Sequence, residues 1–269
     1  MKIILSRKGF DSGYGRQPSP ILPDGTLLSL PIPLENDLTT FSDLNYGGKT
    51  YYDIIKELKP TTKYKESQSC HLDPDIRENI ILNRDQYWKP IFGQSDAAQS
   101  HLRNQEVNIG DVFLFFGWFR QTELHQEKLR YLSGSPDLHV IYGYFQIGEI
   151  YINGDTLPFY VKNHSHANLE HQKKNINCIY VASEKLSFDE SRKGADVLMY
   201  NKNLVLTKNG MSRSKWELPD FFKKLKISYH NTYSFQGDYF KSVDKGQEFV
   251  IDANEQLLNW TQQIIASSN

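Results

Sequence analysis

The sequence has little of what marks several common function classes. It holds two cysteines, Cys70 and Cys178, far apart in the chain, which argues against a disulfide framework and against a cysteine-rich zinc site. No apolar run approaches the ~20 residues that cross a bilayer, so no membrane partner is expected. Met1-Lys2 is followed by only three apolar residues, too few for the core of a secretory signal, and the expected compartment is the cytoplasm. Lysine and arginine (31) nearly cancel aspartate and glutamate (32), leaving a formal net charge of −1. No whole-protein field therefore draws in nucleic acid, and any such contact must use a local basic patch. There is no G-x-x-x-x-G-K-[ST], no G-x-G-x-x-G and no G-x-S-x-G, so no phosphate loop, dinucleotide fingerprint or nucleophile elbow is present, and no motif names a cofactor. No Ser/Gly linker, charge block or internal repeat divides the 269 residues, so a single domain over residues 1–269 is expected.

What is present is an ordinary globular composition, 39% hydrophobic and 23% charged, with aromatics at a high 13%. The chain opens with Met1-Lys-Ile-Ile-Leu-Ser-Arg-Lys-Gly-Phe-Asp-Ser-Gly-Tyr-Gly-Arg16, a short apolar strand that is expected to break at Ser6 into a loop. That loop carries Arg7, Lys8 and Arg16, the carboxylate of Asp11, the hydroxyl of Ser12 and three glycines. Glycine admits close approach of backbone to a ligand, and successive N–H groups in such turns form anion-binding concavities. The stretch reads either as a phosphate cradle or as a hairpin with a solvated basic tip.

Further along, Pro23-Asp24-Gly25 has the order of a tight turn between apolar flanks. Tyr51, Ile54, Ile55 and Leu58 fall at helical spacing up to Pro60. Asp73 and Pro74 read as N-cap and first position of another helix, and residues 94–103 as a short helix capped by Ser95. Residues 112–120 and 138–151 read as long strands, with shorter ones at 178–182, 197–200 and 204–206. A closing helix from Ala253 takes Asp252 and Glu255 as a capping box variant. Strands and helices mix without regular βαβ alternation, which predicts an α+β fold: a mixed, partly barrel-like sheet with flanking helices.

Both faces of residues 112–120 are apolar, so that strand is expected to be buried on both sides. Gly117 and Gly143 interrupt aromatic strand interiors, where glycine marks a bend, a bulge or a ligand lying on the backbone. Trp118, Tyr144 and Gln146 together suit a base, two rings to stack it and an amide to read its edge; packing of core aromatics is the plainer reading. Arg120 ends an apolar strand and suits a phosphate or carboxylate. His101 is expected on a helix face with Gln94, Ala97 and Ala98. His164 and His166 form an H-x-H pair whose imidazoles point the same way in an extended segment, and His171 lies nearby; these three are the metal candidates by residue type. His71 precedes an acidic helix start and is a weaker one. General acid–base work at neutral pH falls to His101, His139 or His164.

Long, ordered runs resemble one family. Leu5-Ser-Arg-Lys-Gly-Phe-Asp11, Pro18-Ser-Pro-Ile-Leu-Pro-Asp-Gly25, Leu28-Ser-Leu-Pro-Ile-Pro33 and His71-Leu-Asp-Pro-Asp75 are similar to the third of the nucleotide-modification-associated domain families. So are Phe92-Gly-Gln-Ser-Asp-Ala-Ala-Gln-Ser-His-Leu102, Gly110-Asp-Val-Phe-Leu-Phe-Phe-Gly-Trp-Phe-Arg120, Asp137-Leu-His-Val-Ile-Tyr-Gly-Tyr-Phe-Gln146, Ile179-Tyr-Val-Ala182 and Gly246-Gln-Glu-Phe-Val250. The resemblance spans essentially the whole chain and implies an association with nucleotide or DNA modification without defining a reaction. A narrower likeness, over residues ~108–151, is to the barrel core of PUA-like domains such as EVE and ASCH modules, and it speaks to architecture rather than activity.

The expectation is therefore an enzyme that modifies a nucleotide or a DNA base, with a reader of modified bases in a PUA-like pocket as the alternative. Asp11, His101 and His139 are the expected proton-handling groups. Arg7, Lys8, Gln94, Gln99, Trp118, Arg120, Tyr144 and Gln146 are the expected substrate contacts, and the expected partner is a nucleotide or nucleic acid.

Overall fold

The computed structural model describes residues 1–35, 37–82, 84–243 and 247–267. Gly246, which opens the last matched run, lies outside the described residues. The fold is α+β. Its main sheet has nine strands: β1 (Lys2–Arg7), β2 (Ser19–Ile21), β3 (Ile91–Ser95), β4 (Val112–His125), β5 (Lys128–Tyr131), β6 (Leu138–Ile152), β7 (Asn177–Ala182), β8 (Ala195–Val197) and β9 (Glu248–Asp252). Strand order along its path is β9-β1-β4-β6-β7-β3, with β2 and β5 also on β4 and β8 also on β6. The sheet is mixed, since β1 and β2 run parallel to β4 while the other pairings are antiparallel.

β4 is central because large apolar side chains leave it on both faces. Phe113, Phe115 and Phe116 are fully buried, and each removes surface worth about 1.5–3 kcal/mol from water. The same burial spreads through Phe92, Phe145, Tyr180 and Phe249 into one continuous core. A second apolar cluster gathers Phe10, Leu28, Leu30 and Phe41 around α1 (Tyr51–Leu58). That helix buries Tyr51, Ile54, Ile55 and Leu58 as the spacing required, and Thr50 with Asp53 closes a capping box at its start. α2 (Asp96–Asn104), α3 (Leu169–Gln172) and α4 (Glu255–Ala266) complete the α-helices among the described residues.

Several expectations are corrected. β1 does not break at Ser6 but pairs with β4 through Arg7, because the parallel ladder supplies partners that local sequence cannot. No α-helix starts at Asp73; Asp75 instead bridges Ile91, and the Asp73 carboxylate accepts from Gly93 N at 2.6 Å, a tertiary partner in place of a helix end. Gln94 is in strand β3, not on the helix with His101, which begins only after Ser95. The run at 197–200 contributes only its first residue to β8, and 204–206 contains a 3-10 turn at Lys202–Leu204. Asn254, not Asp252, caps α4, accepting from Leu257 N, while Asp252 ends β9 and pairs with Lys2.

The two interrupting glycines accommodate chain rather than ligand. At Gly143 the β4–β6 register slips by a bulge. At Gly117 a Cβ would sit 2.8 Å from the Lys8 carbonyl oxygen, so this position lets the loop after β1 lie directly on β4. Gly117→Ala is expected to cost about 1–3 kcal/mol through that overlap, measured as a lowered urea midpoint; an unchanged midpoint would show that the loop is not held there.

Candidate functional site

Arg7 and Lys8 are neighbours at the end of β1, and strand alternation sends them to opposite sides. Arg7 lines a cavity of about 630 Å³, within the usual range of small-molecule sites; Asp11, Ser12, Trp118, Asp137, His139 and Arg213 line it with Arg7. Lys8 instead turns inward. Its Nζ lies 3.1 Å from Glu248 Oε1, with side chains 8% and 1% exposed, and 4.5 Å from the centre of the Phe92 ring. Gln94 Nε2 donates to the same carboxylate oxygen at 2.6 Å. The expected basic loop tip is thus split, with one charge in the cleft and one in the core.

Each wall of the cleft has a local cause. Asp11 Oδ1 accepts from Gly13 N at 2.7 Å and from Tyr14 N at 2.6 Å, a turn in which the side chain stands in for backbone. Trp118 and His139 are cross-strand partners on β4 and β6. Arg213 comes from the loop after Gly210, its guanidinium 4.1 Å from the Trp118 ring centre and 3.0 Å from Ser12 Oγ, a cation–π placement. That loop is tied down by Trp216, fully buried, whose Nε1 donates to His139 Nδ1 at 3.0 Å and to the Arg213 carbonyl at 3.1 Å. Trp118 Nε1 is itself buried and has no acceptor among the described residues.

The hydrogen bond from Trp216 settles the His139 tautomer. An indole N–H only donates, so Nδ1 accepts and the ring proton is on Nε2. Burial, with the charges of Arg7 and Arg213 after it, pushes the His139 imidazolium down to about 3. In the cleft His139 is a neutral ring with an N–H to give rather than a base for neutral pH, which corrects its expected role.

The other expected residues lie elsewhere. Tyr144 is buried with its hydroxyl on the Lys193 carbonyl. Gln146 is locked between Gly110 O, Ser187 Oγ and Ser187 N. Gln146 pairs with Val112, six residues along β4 from Trp118 and roughly 20 Å away at strand rise, so these three side chains do not share a base pocket. Arg120 pairs with Asp137 at 2.7 Å and stands behind the cleft wall. His101 bonds Ser228 Oγ at 2.9 Å and stacks on Tyr229, and Gln99 accepts from the Tyr180 hydroxyl at 2.9 Å; neither lines the cleft. Arg213 and Asp137 escaped the sequence reading, although Ser212-Arg213-Ser214-Lys215 after a glycine turn was a usable signal.

A second polar centre gathers four histidines. His71 is in a short strand paired with Ile32–Pro33, His164 and His166 flank and occupy the turn Ser165–Ala167, and His171 is on α3. Nitrogens of His71, His166 and His171 all lie within 4.8 Å of one another. His71 Nδ1 is 2.6 Å from Asp37 Oδ2, and His166 Nδ1 is 2.6 Å from Asn177 Oδ1. His164 Nε2 is 3.5 Å from Asp73 Oδ1, long for a hydrogen bond, and His164 Nδ1 accepts from His166 N. Burial works to raise Asp73, but His164, then His166, His71 and Lys8, hold it well below the usual carboxylate range. Burial holds His166 well below the ordinary imidazole value and lowers His171 to about 4. The H-x-H pair expected to bind together is therefore divided, and His71, expected only weakly, joins His166 and His171.

A family model described as nucleotide modification associated domain 3 matches residues 2–252. The chain belongs to the nucleotide modification associated domain 3 family. No curated protein and no solved structure matches it. The PUA-like likeness of residues ~108–151 accordingly rests on residue types alone. Membership ties the chain to nucleotide modification, and no helix among the described residues is long and apolar enough to cross a membrane.

His139 also makes stability depend on pH. It stays neutral in the folded protein to about pH 3, whereas the unfolded chain takes up that proton near pH 6.5. Between the two values the unfolded state binds more protons, so stability falls as pH drops from about 6.5 towards 3. Urea unfolding at a series of pH values should show a shallower slope for His139→Phe than for the wild type; equal slopes would remove His139 as the source.

Proposed function

We propose that the cleft bounded by Arg7, Trp118, His139 and Arg213 binds a nucleotide, free or within a nucleic acid, and that the protein serves nucleotide modification by recognising it there. The observation that carries this reading is a cavity whose wall brings Trp118 together with Arg7 and with the Arg213 guanidinium that lies 4.1 Å from the Trp118 ring centre. Arg7 and Arg213 suit a phosphate, because a guanidinium meets two of its oxygens at once. The indole and the guanidinium laid on it offer planar surfaces to a base.

Recognition is better supported than acid–base conversion within this cleft. His139 is held neutral with its basic nitrogen engaged, one Asp11 oxygen is engaged by its own turn, and His101 is not in the cavity wall. The enzyme reading remains distinct and open to test. Nucleotides incubated with the protein and analysed by mass spectrometry come back unchanged on the recognition reading, and converted on the enzyme reading.

Thermal-shift screening with nucleoside phosphates and short single-stranded oligonucleotides should raise the unfolding temperature, since a ligand of the native state stabilises it. Trp118→Ala removes the aromatic face and is expected to weaken binding about five- to a hundredfold, base–aromatic stacking being worth about 1–3 kcal/mol per base. Arg213→Ala should weaken it at least as much, and His101→Ala should leave it unchanged, all by isothermal titration. No shift with any of these ligands, or affinities indifferent to Trp118 and Arg213, would refute the reading.

A further inference from the structure

We propose that His71, His166 and His171 bind one divalent transition-metal ion of zinc-like ligand preference, with the fourth coordination position left for water or a substrate oxygen. The inference does not depend on the nucleotide cleft. It begins with two ring tautomers. Asp37 Oδ2, 2.6 Å from His71 Nδ1, is a carboxylate oxygen and accepts, so His71 carries a proton on Nδ1. Asn177 Nδ2 donates to the His166 carbonyl at 2.9 Å, which orients the amide and leaves Asn177 Oδ1 to accept from His166 Nδ1 at 2.6 Å. His166 therefore presents an Nε2 lone pair, and the Nε2 of His71 lies 3.2 Å from it. A cation held between the two nitrogens, a metal ion or a shared proton, suits that separation.

The spacing and the surroundings both fit a metal. Tetrahedral ligation at Zn–N ~2.0–2.1 Å places ligand nitrogens ~3.4 Å apart, close to the His71–His166 distance. The third imidazole, within 4.8 Å of both, needs to swing inward by about 1 Å to complete that triangle. A carboxylate or amide oxygen on the far nitrogen of a ligating histidine is the usual outer support, fixing the tautomer and raising ligand basicity; here Asp37 serves His71 and Asn177 serves His166. Asp73 Oδ2 lies 3.9 Å from His71 Nε2, so Asp37 and Asp73 together balance two positive charges. Lys174, the nearby cation, is occupied by Asp96 at 3.0 Å. His71 Nδ1 and His166 Nδ1 are already engaged, and among the described residues no other group of three histidine, cysteine or acidic side chains converges in this way. Room for the centre comes from Gly93, where a Cβ would fall 2.2 Å from the His166 ring.

Three protein ligands and an open position are the arrangement in which zinc polarises a bound oxygen and lowers the pKa of bound water towards neutrality. His71 is the ligand nearest solvent, partly exposed where His166 and His171 are buried, and it marks the side from which an ion and its open position are reached.

The test is metal binding by the full chain after chelation and dialysis. Zinc titrated by calorimetry, with metal content by mass spectrometry, should give one ion per chain and a higher unfolding temperature. Cobalt in place of zinc should show the visible absorption of a four-coordinate site. His71→Ala should weaken binding at least about a hundredfold, and Asp37→Asn or Asn177→Leu about ten- to a hundredfold, while His125→Ala binds as the wild type does. Circular dichroism checks the fold of each variant, and His171→Gln replaces His166→Ala if the latter fails to fold. Less than about one-tenth of an ion per chain at saturating zinc, or tight binding that survives both His71→Ala and His171→Gln, overturns the proposal. Because none of these readouts uses a nucleotide, failure here and failure of the cleft reading are separate results.

Discussion

The buried pair of Lys8 and Glu248 is the interaction on which the arrangement of both polar centres depends. A lysine withdrawn from water at the end of a strand is tolerated only with a charged partner and further hydrogen bonds. Glu248 provides the partner from β9, and Gln94 adds its amide from β3. The pair therefore joins β1 to β9, its neighbour in the sheet, and to β3, at the far end of the strand path. Breaking such a pair on one side leaves an uncompensated charge in the core, which is worse than having neither group.

From that anchor, alternation along the chain places the two polar centres. With Lys8 committed inward, Arg7 is delivered to the other side and into the cleft. The loop that follows lies on β4 because Gly117 has no side chain to hold it off. On the inward side, the strand bearing Gln94 also bears Gly93, whose amide holds Asp73 and whose missing side chain makes room for His166. Two adjacent basic residues thus lead to two different centres, one lined by two guanidiniums and an indole, the other formed by converging imidazoles.

The cleft also shows how one buried ring can fix the position of a neighbouring loop. His139 accepts from Trp216, and Trp216 donates as well to the carbonyl of Arg213. The histidine is thereby fixed in one tautomer and the loop carrying the guanidinium is pinned to the sheet. Burial of the imidazole is what makes that hydrogen bond dependable across neutral pH, and it is the same burial that removes His139 as a proton acceptor there.

Elements whose partners are encoded locally were legible in the sequence: α1 from its 3–4 spacing up to Pro60, the turn at Pro23-Asp24-Gly25, and the long strands β4 and β6 from continuous large apolar runs. The α+β class and the family followed from the same runs. What depends on partners distant in sequence was not legible. Asp73 has every local mark of a helix cap, yet its carboxylate meets the amide of Gly93. Lys8 looks like a loop cation, yet a carboxylate 240 positions away draws it into the core. His71 and His166, 95 positions apart, meet at 3.2 Å while the adjacent His164 turns to Asp73. The sequence by itself determined which stretches form strands and helices and which side chains are available for chemistry, because period and capping act within a few residues. Only the tertiary structure decided which of those side chains share a site, because pairing a buried charge or converging three imidazoles is a property of strand order rather than of sequence spacing.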